Sequence, residues 1–331
     1  MEPVQTTDRA VDRAAAGIGP LEWAIELGQA LVANLGRVIL GSPQALTAAG
    51  VAALAGGHLL IEDVPGVGKT VLAHALAVSL GADLSRIQGH ADLLPSDVTG
   101  VSVFTPERQS WEFQRGPVFA HVVLVDELNR TPPRSQSALL ETMEEHQVTV
   151  DGQSWPLPKP HMVIATQNPM AQRGTFPLVE SQLDRFALST TIGYPDAAHE
   201  TRLVLHQGGR FALDHIEPAC TVSDWLDAQA VCESLPVATP VAEYAVRLCR
   251  STRAAPGVAL GASPRAAISL IRAAQAHALL AGRDYVGPTD VKGVAVACLA
   301  HRLMMEDPTP GIGPANAVVE KVLEATPAPR P

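Results

Sequence analysis

The stretch HLLIEDVPGVGKTVLAHALAVSLG, residues 58–81, constrains the fold more than any other part of the chain. His58–Ile61 reads as a short apolar strand. Asp63–Lys69 is turn-forming, with Pro65, Gly66 and Gly68. Thr70–Leu80 is helix-like, and Gly81 closes it as a C-terminal cap. A strand that turns sharply into a helix points backbone N–H groups and a positive helix end at whatever sits in the turn, which suits phosphate. The phosphate-loop pattern G-x-x-x-x-G-K-[ST] is met at Gly68-Lys69-Thr70, but its first glycine position falls on Asp63. Taken alone, the loop is a nucleotide site or a tight turn.

Two further apolar runs resemble the first. HVVLVDE ends in Asp126-Glu127, and HMVIATQN ends in Asn168. Continuous runs of this kind suit parallel strands covered on both faces. Between them, PPRSQSALLETMEEHQ reads as a helix with prolines at its start. VTVDGQSWPL follows as a hairpin that turns at Asp151-Gly152. Strands alternating with helices predict an α/β layer architecture with a parallel sheet. Upstream, helices are expected over Leu21–Leu40 and Pro43–Leu54. From Ala238 onward the pattern is helical. Ile268, Ile271, Ala274 and Ala278 form one stripe ended by Gly282. Thr289 is placed to cap a helix that carries Val291, Val294 and Cys298. The character changes after about Pro195, so a second, smaller all-helical domain is expected.

Composition narrows the function classes. Hydrophobic residues make up 47% of the 331 residues and aromatics only 4%, so alanine, leucine and valine must fill the core. A net charge of −10 argues against non-specific binding to nucleic acid or anionic membranes. The four cysteines are widely spaced and form no C-x-x-C or metal-ligand pattern with the 11 histidines. They read as buried reduced thiols of a cytoplasmic protein. The N-terminus has no apolar signal-peptide core. Residues 38–61 lack charge, but Gly41-Ser42-Pro43, Gln44 and Gly56-Gly57-His58 interrupt them, so no membrane insertion is expected.

Each candidate site residue has a chemical reason. Gly66 and Gly68 let the backbone approach phosphate oxygens. Lys69 can reach the β- and γ-phosphates, and Thr70 can ligate Mg²⁺. Asp126, at a strand end, can hold Mg²⁺ through water. Glu127 beside it can orient and deprotonate an attacking water. Asn168 can hold that water near the γ-phosphate. Arg185 in ESQLDRF and Arg265 in GASPRAAISL can bring positive charge to the transferring phosphoryl group. Blander readings stay open: a helix start for the acids, an Asn-Pro turn for Asn168, surface positions for the arginines. No N-K-x-D string supports a GTPase.

In this order, the phosphate loop, acidic strand, Asn strand, DRF and a late arginine resemble the AAA+ ATPases. Longer strings resemble the MoxR-type members. They are GHLLIEDVPGVGKT, RIQGHADLLPSDVTG, GPVFAHVVLVDELNRTPPRSQSALLETMEEHQVTVDG, ATQNP, LVESQLDRF, GASPRA, GRDYVGPTDV and LAHRL, spread over about residues 25–305. The resemblance implies a P-loop αβα sandwich followed by a small helical lid. It divides the chain into an arm (1–20), a nucleotide-binding core (21–200), a linker (201–235), the lid (236–323) and a disordered tail (324–331).

The same resemblance implies roles. Gly66, Val67, Gly68, Lys69, Thr70, Val71 and Asp126 would bind ATP, with Thr70 and Asp126 at Mg²⁺. Lys69 and Thr70 would be the Walker A pair and Asp126 and Glu127 the Walker B pair, with Glu127 the base. Asn168 would be sensor 1, Arg265 sensor 2, and Arg185 an arginine finger for a neighbour's nucleotide. Arg130 is a further charge for the subunit boundary. Gly100–Arg115 would be the helix-2 insert and 148–158 the pre-sensor-1 hairpin, both facing a ring pore. Gly89-His90 stand where a bulkier pair is usual, and Val179 replaces a common proline. Both departures are expected to lie clear of the phosphate chemistry. The implied function is Mg-dependent ATP hydrolysis by a ring, hexameric in expectation, acting as a chaperone-like remodelling or activation factor. Its client would be a protein such as one with a von Willebrand factor A domain, with no specific nucleic acid. A magnesium-chelatase-like metal-insertion subunit and a non-hydrolysing scaffold are the alternatives. Lys69 and Glu127 are both present, which weighs against the scaffold.

Overall fold

The computed structural model describes residues 19–169, 174–205, 213, 215–307 and 311–329. The expected arm, 1–20, lies almost wholly outside them. Helix α1 (Pro20–Val38) starts with Pro20 in its first turn, and Glu22 reaches back to the Gly19 amide. Helix α2 (Pro43–Leu54) also opens on proline and is buried from Ala48 to Leu54. Its alanines let neighbours approach closely on several sides. The charge-free stretch 38–61 is thus divided between helix ends and a strand. Among the described residues no helix is long and apolar enough to cross a membrane.

The core then runs β1 (Leu59–Glu62), α3 (Lys69–Ser79), β2 (Leu84–Gln88), a short α4 (Pro95–Thr99), and the hairpin β3 (Gly100–Thr105) and β4 (Ser110–Arg115). Strand β5 (Val122–Asp126), helix α5 (Pro133–Glu145) and the hairpin β6 (Gln147–Val150) and β7 (Gln153–Pro156) follow. Strand β8 (Met162–Gln167), the single turn α6 (Glu180–Leu183) and β9 (Leu188–Thr190) complete it. Five strands form one sheet in the order β2-β5-β8-β1-β9, and every pairing is parallel. Leu59 and Ile61 pack into one apolar cluster with the helices α1 to α3, while Leu60 joins Val123, Val125 and Val163 in a second cluster on the other face. That two-sided burial explains the uninterrupted apolar runs.

The C-terminal part comprises α7 (Ala197–Leu205), α8 (Val222–Ser234), α9 (Thr239–Thr252), β10 (Val258–Leu260), α10 (Pro264–Leu280), α11 (Pro288–Leu299), β11 (Met304–Met305) and α12 (Gly313–Ala325). Several expectations need correction here. Residues 201–235 are not merely a linker: α8 docks on the core, with Trp225 fully buried and its indole N–H donating to Ala53 O at 2.9 Å. Thr221 and Asp224 cap that helix reciprocally, a signal present in the sequence. The tail expected from 324 is helical through Ala325, held by the burial of Val319 and Val322.

Ile268 is 66% exposed, so the buried stripe of α10 is Ala266, Leu270, Ala273, Ala274 and Ala278 instead. Small residues win there because α10 packs closely on α2 and α11. The cap of α11 is Gly287, whose amide donates to the Asp290 carboxylate at 2.9 Å; Thr289 lies inside the first turn. The four cysteines are free and buried as expected, and burial pushes the Cys232 and Cys249 thiols up to about 12.

Candidate functional site

Parallel strands bring their C-terminal ends to one edge of the sheet. Gln88 pairs with Asp126, and Glu62 with Gln167, so the loops after β1, β2, β5 and β8 converge. The 63–68 loop opens between β1 and α3, with Gly66 at φ 88° and Gly68 at φ 100°. Side chains rarely adopt that backbone, which is why glycine stands at both positions. Apart from its chain neighbours, no described residue lies within 4 Å of the place a Cβ would take at Gly66, so its face is open to a ligand.

Lys69 folds back and donates from Nζ to Asp63 O at 2.6 Å. Burial lowers its pKa, against the pull of the Asp63, Asp126 and Glu127 carboxylates.

Asp63 itself faces away from the loop centre. It is buried, and its carboxylate accepts the amides of Val64 at 2.8 Å, Ile192 at 2.7 Å and Gly193 at 2.7 Å. The departure from the loop pattern is a tether to the segment after β9.

Asp126 is buried and accepts hydrogen bonds at both oxygens. Its Oδ1 accepts from Thr166 Oγ1 at 3.1 Å, and its Oδ2 from Thr70 Oγ1 at 3.3 Å and Arg86 Nε at 2.9 Å. A hydroxyl and a carboxylate this close are hard oxygen donors suited to Mg²⁺, which typically takes few protein ligands and fills its shell with phosphate and water. Among the described residues no cluster of three or more His, Cys, Asp or Glu offers an all-protein metal cage. Thr166 and Arg86 were not picked out from the sequence. Thr166 sits two residues before Asn168, so strand alternation from Asn168 points to it; Arg86 meets Asp126 across 40 positions of sequence, and no local signal marks it.

Glu127 adopts φ 56°, ψ 51°, a left-handed conformation uncommon for a side chain other than glycine. Its amide is held by Thr166 Oγ1 at 3.0 Å. Its carboxylate lies 3.4 Å from Gln88 Nε2 and ion-pairs with Arg130 at 3.5 Å. Gly89 makes this fold-back possible, which corrects the expectation that it lies clear of the chemistry. Its amide donates to Asp126 O at 2.7 Å, and a Cβ there would stand 2.3 Å from Glu127 O. Asn168 directly follows β8, and its carbonyl accepts from Asn129 Nδ2 at 3.3 Å.

The two late arginines are elsewhere. Arg185 precedes β9, and Ala187 N bonds His58 O at 2.9 Å, before the start of β1. Arg185 therefore lies at the N-terminal edge of the sheet, and the four residues of β1 alone separate the edges by about 13 Å. Arg265, in the first turn of α10, joins it there. Glu144, near the end of α5, pairs with Arg265 Nη1 at 2.6 Å and Arg185 Nη2 at 3.2 Å. The sequence-derived set is thus two sites on one chain, phosphate loop and acids at one edge and a pair of arginines at the other.

The two hairpins also meet. Phe113 on β4 stacks on Trp155 of β7 with ring centroids 4.7 Å apart, and Trp111 is 71% exposed at their shared surface.

Comparison with known proteins agrees with this geometry. Residues 58–188 match the model of the ATPase family associated with various cellular activities (AAA), and residues 250–322 match the AAA lid domain. The uncharacterized protein YeaC of Bacillus subtilis is 44% identical over 92% of this chain and 95% of its own length. Chaperone MoxR1 of Mycobacterium tuberculosis is 38% identical over 81% of this chain and 73% of its own. The crystal structure of a candidate ATPase from Cytophaga hutchinsonii superposes with a TM-score of 0.85 at 31% identity, covering 97% of this chain and 99% of that one. An AAA core with its lid, matched over four-fifths of the chain by a MoxR chaperone and over nearly all of it by an ATPase structure, makes this chain a member of the MoxR-type AAA+ ATPases.

Proposed function

We propose that the protein hydrolyses ATP with Mg²⁺ and does so as a ring, hexameric in expectation, that remodels or activates client proteins. The observation that carries the reading is the joint placement of Thr70, Asp126 and Glu127 beside an open glycine loop. Thr70 and Asp126 are the residues that would hold Mg²⁺, which supplies charge neutralisation at the phosphate oxygens when bound. Lys69 leaves the Asp63 carbonyl and turns to the β- and γ-phosphates. The backbone amides of the 66–70 segment take the remaining phosphate charge. Glu127 orients and deprotonates the attacking water, and Asn168 fixes that water from the end of β8. A cleft of about 550 Å³, lined by Gly41, Ser42, Thr191, Ile192 and the lid residues His277 and Asn316, is the candidate seat of the nucleoside half.

The position of Arg185 and Arg265 at the sheet edge opposite the phosphate loop supports a reading in which Arg185, with Arg265 beside it on the shared Glu144, serves the nucleotide of a neighbouring subunit, so that assembly completes the site. The paired hairpins, with Trp111 exposed, are the candidate client-facing surface. The name of one relative, Chaperone MoxR1, supports the remodelling role, and a client with a von Willebrand factor A domain and a cytoplasmic setting are kept in this reading as expectations from the sequence.

The test is an ATPase assay on purified protein, with size measured with and without ATP. Hydrolysis should require Mg²⁺, and the specific activity should rise with protein concentration as the subunits assemble. Nucleotide binding without hydrolysis in the assembled state would overturn the enzymatic reading in favour of a scaffold.

A further inference from the structure

The segment that carries Arg185 is gripped by the lid of its own chain. Arg302, in the 3-10 turn Ala300–Arg302 that follows α11, is buried, and its side chain is only 2% exposed. Its Nη2 donates to Phe186 O at 2.7 Å and Asp184 O at 3.3 Å, the two carbonyls that flank residue 185. Its Nε stands 2.9 Å from Asp184 Oδ1 as an ion pair. Nη1 donates to Cys298 O and lies 3.1 Å from Cys298 Sγ, which ties the guanidinium to α11.

Two other lid residues reach the same three-residue segment. His301 Nε2 lies 3.0 Å from Phe186 O, and Ser263, the N-cap of α10, donates from Oγ to Asp184 Oδ2 at 3.0 Å. Phe186 is fully buried.

A buried guanidinium is costly unless every group around it is placed to receive it. Here Nη2 is spent on the backbone either side of one arginine, and Nε faces the Asp184 carboxylate next to it. The fold already fixes β9 by its pairing with β1, so the grip adds little that the sheet needs. What it does add is a rigid link between the lid and Arg185, whose side chain also shares Glu144 with the lid's Arg265.

We propose that Arg302 is a positioning residue that couples the lid of one subunit to the arginine it offers the neighbouring subunit's nucleotide. This rests on the reading of Arg185 as acting across the subunit boundary. The lid also borders the candidate nucleoside cleft through His277 and Asn316. A lid shift caused by nucleotide in one subunit therefore moves Arg185 relative to the next subunit's phosphates, and news of occupancy passes around the ring in one direction.

The experiment uses the full chain and mixed assemblies. Arg302→Lys keeps the charge but cannot span two carbonyls and a carboxylate at once. Its kcat should fall by about tenfold to a hundredfold, as for a misplaced catalytic group, with KM for ATP little changed. Mixing it with Glu127→Gln subunits, which cannot hydrolyse but carry an intact lid and Arg185, should restore activity to the Arg302→Lys sites. Arg185→Ala mixed with the same pool is the reference.

Rescue of both variants supports the proposal. Rescue of Arg185→Ala without rescue of Arg302→Lys overturns it and leaves the trans reading standing. Rescue of neither overturns the trans reading, and this coupling with it. Unchanged kcat in Arg302→Lys also overturns it. Should Arg302→Lys fail to fold by circular dichroism, Ser263→Ala decides. A smaller fall in kcat that the Glu127→Gln pool rescues supports the link, and an unchanged kcat or an unrescued fall overturns it.

Discussion

The Asp63 carboxylate accepts the backbone amide of Gly193 at 2.7 Å, and so closes the phosphate loop against the segment that follows the edge strand. The same oxygen accepts Ile192 N, and the other accepts Val64 N. Replacing Asp63 by alanine leaves these amides without their charged acceptor, at a cost of about 3 kcal/mol. Urea unfolding of Asp63→Ala should report that loss, and Asp63→Asn should recover part of it. ATP affinity should weaken or hold in both. A many-fold gain in ATP affinity in Asp63→Gly would mean that aspartate obstructs the site.

Glu127→Gln should bind ATP and fail to hydrolyse it, because the amide keeps the shape of the side chain and cannot take a proton. The loss in kcat should be about a hundredfold or more. Hydrolysis at the normal rate would remove Glu127 from the role of base.

Gly89 offers a subtler handle on the same carboxylate. A Cβ at that position meets Glu127 O at 2.3 Å, so Gly89→Ala must push the ends of β2 and β5 apart. The expected result is a fall in kcat of about tenfold with nucleotide affinity retained, measured by steady-state kinetics beside equilibrium binding. Equal kcat in Gly89→Ala would show that the displacement of Glu127 is harmless.

Much of this site was legible in the sequence because its parts lie in short runs. The phosphate loop, Asp126-Glu127 and Asn168 each end an apolar strand, and parallel pairing does the rest. Three features were not legible. Asp63 meets Ile192 and Gly193 across 129 and 130 positions of sequence, a contact that no local pattern encodes. Gly89 reads as a plain departure until the backbone of Glu127 is seen folding over it. The separation of Arg185 and Arg265 from the phosphate loop depends on where β9 joins the sheet, which is a matter of topology. Helix α8 is a different case. Its capping pair Thr221 and Asp224 and its apolar Trp225, Ala228 and Cys232 are local signals that outweigh the look of a linker.

Arg185→Ala should spare ATP binding and abolish hydrolysis in assembled protein. Mixed with Lys69→Ala subunits, it should regain activity where an intact Arg185 faces an intact phosphate loop. Arginines of this kind contribute about a thousandfold or more to phosphoryl transfer, so even a small share of restored sites is measurable. No recovery at any ratio, with mixed assembly verified by size, counts against an arginine delivered between subunits.

Acid should destabilise the fold well before the carboxylates titrate. His58 is buried with Nε2 at 3.1 Å from Met143 O and Nδ1 accepting Val163 N at 3.0 Å, so its ring is held neutral as a donor and an acceptor. Burial, aided by the neighbouring His161, lowers its pKa from 6.5 to about 3. Burial first, then Arg302, lowers that of His301 to about 3, and burial lowers that of His161 to about 4. These bases take up protons more readily in the unfolded chain. Their contribution to stability is intact above pH 6.5 and is lost as pH falls from there toward the folded values. Each ring costs about 1.4 kcal/mol per pH unit in that window, or on the order of 2 kcal/mol at pH 5. Equilibrium unfolding between pH 7.5 and 5.0 should show a steep loss. His58→Gln, which keeps a donor for Met143 O and an acceptor for Val163 N, should shed about a third of that slope. A stability that stays flat between pH 6.5 and 5.0 would mean that the three rings are already charged, or exposed, in the native protein.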